Sequence, residues 1–228
     1  DGGWESYAGG AIYGTGGVLL TVADTSFVSN LGDGGGAVAL RTAVADASTT
    51  RGDFTSCTFE SNIASYSPDE RYPNADGGGI YSENSPITLK SSNFTANAAG
   101  SDYANGGGMF VTFKNGATDS SPITIESTLF SQNTAANAGG FGRGAGIYAS
   151  QWNKGDIPLI PLIHLKGGKN IFDGNKHGTS NGHNHEINAW VLKRSAIVEV
   201  DRCPLGKWRG LKNKFDDGDD ELQNIPAC

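Results

Sequence analysis

His177, His183, His185 and Glu186 fall close together in NKHGTSNGHNHEIN. Imidazole nitrogens and a carboxylate suit zinc or nickel. The stretch has no metal-ligand spacing motif and no further ligand beside it, so it reads as a polar loop near the C-terminal end of the fold. DDGDDE at 216–221 is a second group of donors, whose oxygens would attract calcium. It lacks the alternate-position ligands of an EF-hand loop and the glycine-rich nonapeptide of calcium-binding β-rolls. A solvated acidic turn is the simpler reading, and no metal or cofactor is expected.

Two covalent modifications are expected instead. Asn93-Phe94-Thr95 is an acceptor sequon for N-glycosylation. On an extended segment Asn93 and Thr95 share one face and Phe94 takes the other, so an inward Phe94 turns the sequon to solvent. Of the three cysteines, Cys57, Cys203 and Cys228, none lies in a CxxC spacing. Cys203 and Cys228 bracket a C-terminal loop and are expected to close it as a disulfide, which implies an oxidising compartment. No HExxH and no phosphate-binding loop occurs.

The totals narrow the partners. Lys and Arg number 17 against 24 Asp and Glu, a net charge of −7. No basic patch dominates, so neither nucleic acid nor an anionic membrane is an expected partner. No apolar run is long enough to span a bilayer; the longest candidate, DIPLIPLIHL, is short and carries two prolines. The 34 glycines follow no period of three, which excludes collagen. The chain starts at Asp1, as a mature product or excised fragment would after removal of a secretion signal.

The elements that must position these residues come from a repeat. Phe-x-x-Asn occurs at Phe27/Asn30, Phe59/Asn62, Phe94/Asn97, Phe130/Asn133 and Phe172/Asn175. The steps between phenylalanines are 32, 35, 36 and 42 residues. A glycine motif alternates with it: GGAIY at 9–13, GGAVA at 35–39, GGGIY at 77–81, GGGMF at 106–110 and GAGIY at 144–148. Five residues before each of the first four phenylalanines stands Val22, Phe54, Leu89 or Ile125; two before stands Thr25, Cys57, Ser92 or Thr128. This period of two marks strands. The fifth copy carries an extra Gly-Gly, which suggests a bulge. A sixth, degenerate copy runs Val198, Val200, Cys203. Cys57 and Cys203 then share a column four rungs apart, too far to bond at about 4.8 Å per rung.

A varying period with constant motifs describes one fixed coil with loops inserted at its corners. Such a unit buries a face only by stacking. The expected fold is all-β, a parallel β-helix of about six coils. Phenylalanines stack in one interior column and the Ile, Val and Met of the glycine motif in another. The asparagines mark a corner, adopting left-handed dihedrals and bonding coil to coil. Lys90 and Glu126 should sit side by side as an exposed ion pair worth at most about 1 kcal/mol. A β-sandwich would need regular hairpin signals, which the sequence lacks.

Alternating GGA[ILV]/GGG[IM] and FxxN motifs resemble the repeats of chlamydial polymorphic membrane proteins, and of similar secreted proteins from other bacteria, algae and related protists. The resemblance covers residues 9–175. It implies a right-handed β-helix, a secreted or cell-surface location and, in the chlamydial group, adhesion. The sequence departs from that pattern in carrying no C-terminal outer-membrane barrel, so an autotransporter is expected only if this chain is a passenger fragment. It closes on CPLGKWRGLKNKFDDGDDELQNIPAC, whose start looks like the opening of ephrin-receptor-like cysteine-rich modules, with only two cysteines. The domains expected are a β-helix at 1–202 and a disulfide-closed tail at 203–228.

Many β-helices cleave polysaccharides, and glycoside hydrolysis needs two carboxylates about 5 to 10 Å apart. The slot after each phenylalanine holds Val28, Glu60, Thr95, Ser131 and Asp173, its two acids three rungs apart. The slot of Lys90 holds Ala23, Thr55 and Glu126. Glu83, Asp53 and Asp156 are assigned to corners, and no strand column gathers acids or joins an acid to an arginine. The expectation is a non-catalytic extracellular structural glycoprotein that self-associates into a fibre, filament or coat. The alternative is an adhesin or carbohydrate-binding β-helix. It would use corner inserts at 63–76, 98–105 and 134–143, whose tyrosines and Arg71 suit a binding surface.

Overall fold

The computed structural model describes residues 8–43, 48–65, 74–100, 103–114, 123–135, 141–152, 162–167, 169–177, 187–191 and 197–200. Among these residues the chain is all-β and its strand ladders are parallel. Each turn of the chain contributes one strand to each of several stacks, so the molecule is a parallel β-helix.

The glycine motif feeds the first stack: Ile12–Thr15, Val38–Arg41, Ile80–Glu83, Met109–Lys114, Ile147–Trp152 and Ile187–Val191. The second comprises Leu19–Ala23, Arg51–Thr55, Ile87–Lys90, Ile123–Glu126, Leu162–Lys166 and Ile197–Val200. The phenylalanine strands are Ser26–Val28, Thr58–Glu60, Asn93–Thr95, Leu129–Ser131 and Ile171–Asp173. Two-residue strands follow each asparagine: Leu31–Gly32, Ile63–Ala64, Ala98–Ala99, Thr134–Ala135 and Lys176–His177.

The expected columns hold in register. Val22, Phe54, Leu89, Ile125, Leu165 and Val200 lie above one another, and so do Ile12, Val38, Ile80, Met109 and Ile147. The sixth copy therefore exists as strand, with a partner that the motif search missed: Ile187–Val191 joins the first stack without a glycine cluster. Residues alternate between core and solvent, as in the buried-exposed pattern of Ile87–Lys90. Phe54 is larger than its column neighbours, and Gly52 makes room for it. A Cβ at Gly52 would stand 2.7 Å from the Phe54 ring and 2.5 Å from Leu40.

Two corners differ from expectation. Asn30, Asn62, Asn97, Asn133 and Asn175 stand at the corner, but none of the five takes the left-handed conformation expected of it. The residue before each one does. Ser29, Ser61, Ala96 and Gln132 have φ of 54 to 56°, and Gly174, before Asn175, has 66°. The physical reason is burial. Asn62, Asn97, Asn133 and Asn175 turn their amides into the core, where the ladder bonds them, and the neighbour on the outside makes the turn.

The extra Gly-Gly of the fifth copy does not bulge a strand, since Leu162–Lys166 keeps its ladder. Gly167 takes the left-handed corner position, and Asn170 replaces the small residue of the other copies. Its Nδ2 donates to the Ile125 and Lys166 carbonyls, and its Oδ1 accepts from the Thr128 N–H at 3.0 Å.

The corner inserts also hold more structure than the sequence suggested. Their ends form a fifth stack, Asn74–Asp76, Tyr103–Asn105 and Phe141–Arg143. It leads into the glycine motif, where Gly77, Gly106 and Gly144 have positive φ that glycine adopts without strain. The next glycine is needed for closeness. A Cβ on Gly78 would lie 2.2 Å from the Gly107 carbonyl oxygen.

Candidate functional site

Two continuous side-chain arrays run through the coils. Rings of Phe27, Phe59, Phe94, Phe130 and Phe172 stack at centroid spacings of 4.8, 4.4, 4.6 and 5.1 Å. The spacing is that of the strands themselves, so the backbone rise sets the ring contact. Beside them runs the asparagine ladder. The N–H and Nδ2 of Asn62 both donate to Asn97 Oδ1, at 3.1 and 2.9 Å. Asn62 Nδ2 also donates to the Phe27 carbonyl of the preceding coil, and Asn62 Oδ1 accepts from Asn30. Asn97 and Asn133 repeat the arrangement. Each interior amide is fully bonded although Asn62, Asn97 and Asn133 are completely buried. Asn175 is the last described rung. Its Oδ1 accepts from the N–H and Nδ2 of Asn133 at 2.9 and 2.8 Å, and its Nδ2 donates to the Phe130 carbonyl at 3.0 Å.

The ladder has a direction. From Asn30 to Asn133 each asparagine donates to the next coil, and from Asn62 to Asn175 each accepts from the one before. Asn30 has no such donor beneath it among the described residues, and its side chain is half-buried rather than buried. The same coil shows other signs of an end. Its four strands pair on one side only among the described residues. Ile12, Leu20 and Val22 are only partly buried, whereas Val38, Phe54 and Ile80 are completely so.

The outer face of the first stack carries a site that the sequence reading denied. Arg41 and Glu83 are register neighbours, and Arg41 Nε lies 3.0 Å from Glu83 Oε1. An acid and an arginine do share a strand column, because Glu83 lies on a strand and not in a corner. Asp53, also assigned to a corner, sits on Arg51–Thr55 between Thr21 and Thr88. Glu83 is 3% exposed, and the Tyr81 hydroxyl donates to its Oε2 at 2.7 Å. Burial works against the Arg41 charge, but the Glu83 carboxylate, with Tyr81 and Tyr13 beside it, outweighs burial and holds the guanidinium pKa above its ordinary value.

Next to this pair is a second aromatic column. Tyr81, Phe110 and Tyr148 stack at 5.3 and 5.5 Å and are buried. The signal was present in the last letter of GGGIY, GGGMF and GAGIY. It was unread because an outward strand position is expected to be exposed. Chemically the cluster is a neutralised, aromatic-packed ion pair. Glu83 is bound on both oxygens, a poor arrangement for a general acid or base.

The other predicted residues are spread out. Lys90 and Glu126 are register neighbours as expected, but no close ion pair joins them; Lys166 flanks Glu126 on the far side. Glu60 and Asp173 stay rungs apart on the phenylalanine stack. Asn93 is exposed and Thr95 half-exposed, with Phe94 between them completely buried. Cys57 is a buried free thiol; its Sγ donates to the Val22 and Thr55 carbonyls, and burial pushes its pKa up. No cluster of metal-ligating side chains occurs among the described residues. His183, His185, Glu186, Asp156, Arg71, 216–221, Cys203 and Cys228 lie outside the described residues; of His177 only the backbone pairing is described. GTSNG at 178–182 has the G-x-S-x-G form of a nucleophile elbow, a motif that needs a strand–turn–helix setting. It too lies outside the described residues, among which there is no helix.

Searches against protein-family models, curated proteins and solved structures find no match to this chain.

Proposed function

We propose that this chain is a non-catalytic extracellular structural protein, a β-helix that stacks end to end as the building block of a surface fibre, filament or coat. The observation that carries the reading is the first coil. Among the described residues its strands pair on one side only, its core side chains Ile12, Leu20 and Val22 are only partly buried, and the Asn30 side chain accepts from no coil beneath it. Open strand edges template further pairing. The direction of the ladder favours head-to-tail over head-to-head contact, and a heterologous contact that does not close runs on as a filament. The outer columns support the non-catalytic part. The buried carboxylate Glu83 is committed to Arg41 and Tyr81, and Glu60 and Asp173 are too far apart to act on one bond.

Negative-stain electron microscopy of the natively purified protein tests this. Filaments with a regular axial repeat are expected. Dispersed short rods, or a cap over the first coil, would remove the stacking reading. Turnover of acidic polysaccharide that is lost on changing one carboxylate would establish an enzyme instead.

One observation favours a second reading, adhesion. The connections at 65–73, 100–102 and 136–140 all leave from the two-residue stack and return into the fifth stack. Three variable segments thus emerge at one corner, where recognition residues concentrate on solenoids. Deletion of the first of them with unchanged target binding would count against it.

A further inference from the structure

We infer that Asn93 carries an N-linked glycan whose first sugars lie along the outer face of the phenylalanine stack, over Leu129 and Ile171, and close that face to lateral contact. The sequon alone is permissive. The fold adds three observations. Asn93 is exposed and Thr95 lies on the same outward face, because the completely buried Phe94 anchors the strand between them. The outward column through Asn93 runs Ser26, Thr58, Asn93, Leu129, Ile171. Its two upper members are apolar, and Ile171 is 46% exposed. At about 4.8 Å per rung, Leu129 and Ile171 lie within reach of the first two sugars of a chain rooted at Asn93. The apolar faces of those rings would cover a strip that is otherwise open to side-by-side association.

The strand also sets the order of events. Asn93–Thr95 is an inner strand, paired with Thr58–Glu60 below and Leu129–Ser131 above. The Asn93 N–H is bonded to the Cys57 carbonyl at 2.8 Å. A transferase that must enclose the amide cannot do so once the rung has closed. Transfer therefore precedes folding. The bond formed joins Asn93 Nδ2 to the anomeric carbon of an oligosaccharide carried on a polyprenyl diphosphate. The bond from that carbon to the diphosphate oxygen breaks, the polyprenyl diphosphate leaves with the electron pair, and one Nδ2 proton passes to a base of the transferase.

The presence of the glycan is independent of the stacking reading; its role in confining growth to the axis rests on that reading. The experiment separates them. The full chain is secreted from eukaryotic cells, digested with peptide-N-glycosidase after denaturation, and mapped by mass spectrometry. Conversion of Asn93 to Asp on release is expected in secreted wild type and in Thr95→Ser. No glycan on this peptide is expected in Asn93→Gln or Thr95→Ala. An unmodified Asn93 in the secreted wild type would overturn the site. The folded, sugar-free protein offered to the same transferase should stay unmodified, and efficient transfer to it would overturn the order. Particles of Asn93→Gln and wild type are then compared by electron microscopy. Increased side-by-side association of the variant is expected, and equal lateral association would overturn the shielding role even where the glycan is present.

Discussion

Asn97 shows how much one side chain is asked to do. Its amide joins coils before and after it and leaves no polar atom idle in a dry interior. Asn97→Ala would orphan the buried Asn62 N–H, take one of the two acceptors of Asn62 Nδ2 and remove the side-chain donor to the Phe59 carbonyl. A loss of about 3 kcal/mol or more in urea unfolding is expected. Asn30→Ala, at the half-buried end of the same ladder, should cost about 1 kcal/mol or less. Equal losses at the two positions would contradict the ladder. Cys57 belongs to the same scale. Its folded pKa lies above the unfolded value, so the fold favours the neutral thiol. That preference is complete below the unfolded pKa and is lost as pH rises through the folded one. In mildly alkaline solution, peptide mapping should find Cys57 alkylated by iodoacetamide in urea and protected in the native protein. At this scale the sequence placed the ring column and the amide ladder correctly. It misplaced the left-handed residue at every corner from Asn30 to Asn175, because asparagine's tolerance of that conformation was weighed ahead of its need for buried partners.

A strand here has little meaning apart from the strands above and below it. Phe94 contacts Phe59 and Phe130 face to face, so Phe94→Ala removes two ring contacts and leaves a cavity. A destabilisation of about 3 to 5 kcal/mol is expected by chemical denaturation. Phe27→Ala should cost less, since Phe27 has a ring neighbour on one side only among the described residues. Gly78→Ala brings a Cβ against the Gly107 carbonyl of the next rung. Rigid backbone cannot yield as a side chain does, so this small change should lower the unfolding midpoint more than Phe27→Ala does. Element boundaries were legible wherever the motif was intact. The fifth stack and Ile187–Val191 were not, because short segments joined to a neighbour by the ladder need no periodicity of their own.

Among the described residues the molecule is a set of parallel columns that ends at the first coil. Its association should therefore be axial, with filament length rising with protein concentration in electron micrographs and no lateral sheets while Asn93 is glycosylated. The corner connections should be dispensable for the stack. Replacing 66–73 by a short glycine-serine linker should leave the strand content measured by circular dichroism and the axial repeat unchanged. Loss of folding in that variant would place those residues in the core of the assembly.

The sequence by itself determined the repeat, the stacked coils and the identity of the interior columns. These follow from local spacing: each coil must present the same residues to the same neighbours. The tertiary structure alone decided the Arg41–Glu83–Tyr81 cluster. Arg41 and Glu83 are 42 positions apart in the chain, and only the register of two coils makes them neighbours. It also decided which way the asparagine ladder runs. Donor and acceptor ends of an amide look alike in the sequence and become distinct only when stacking gives each side chain one coil to donate to and another to accept from.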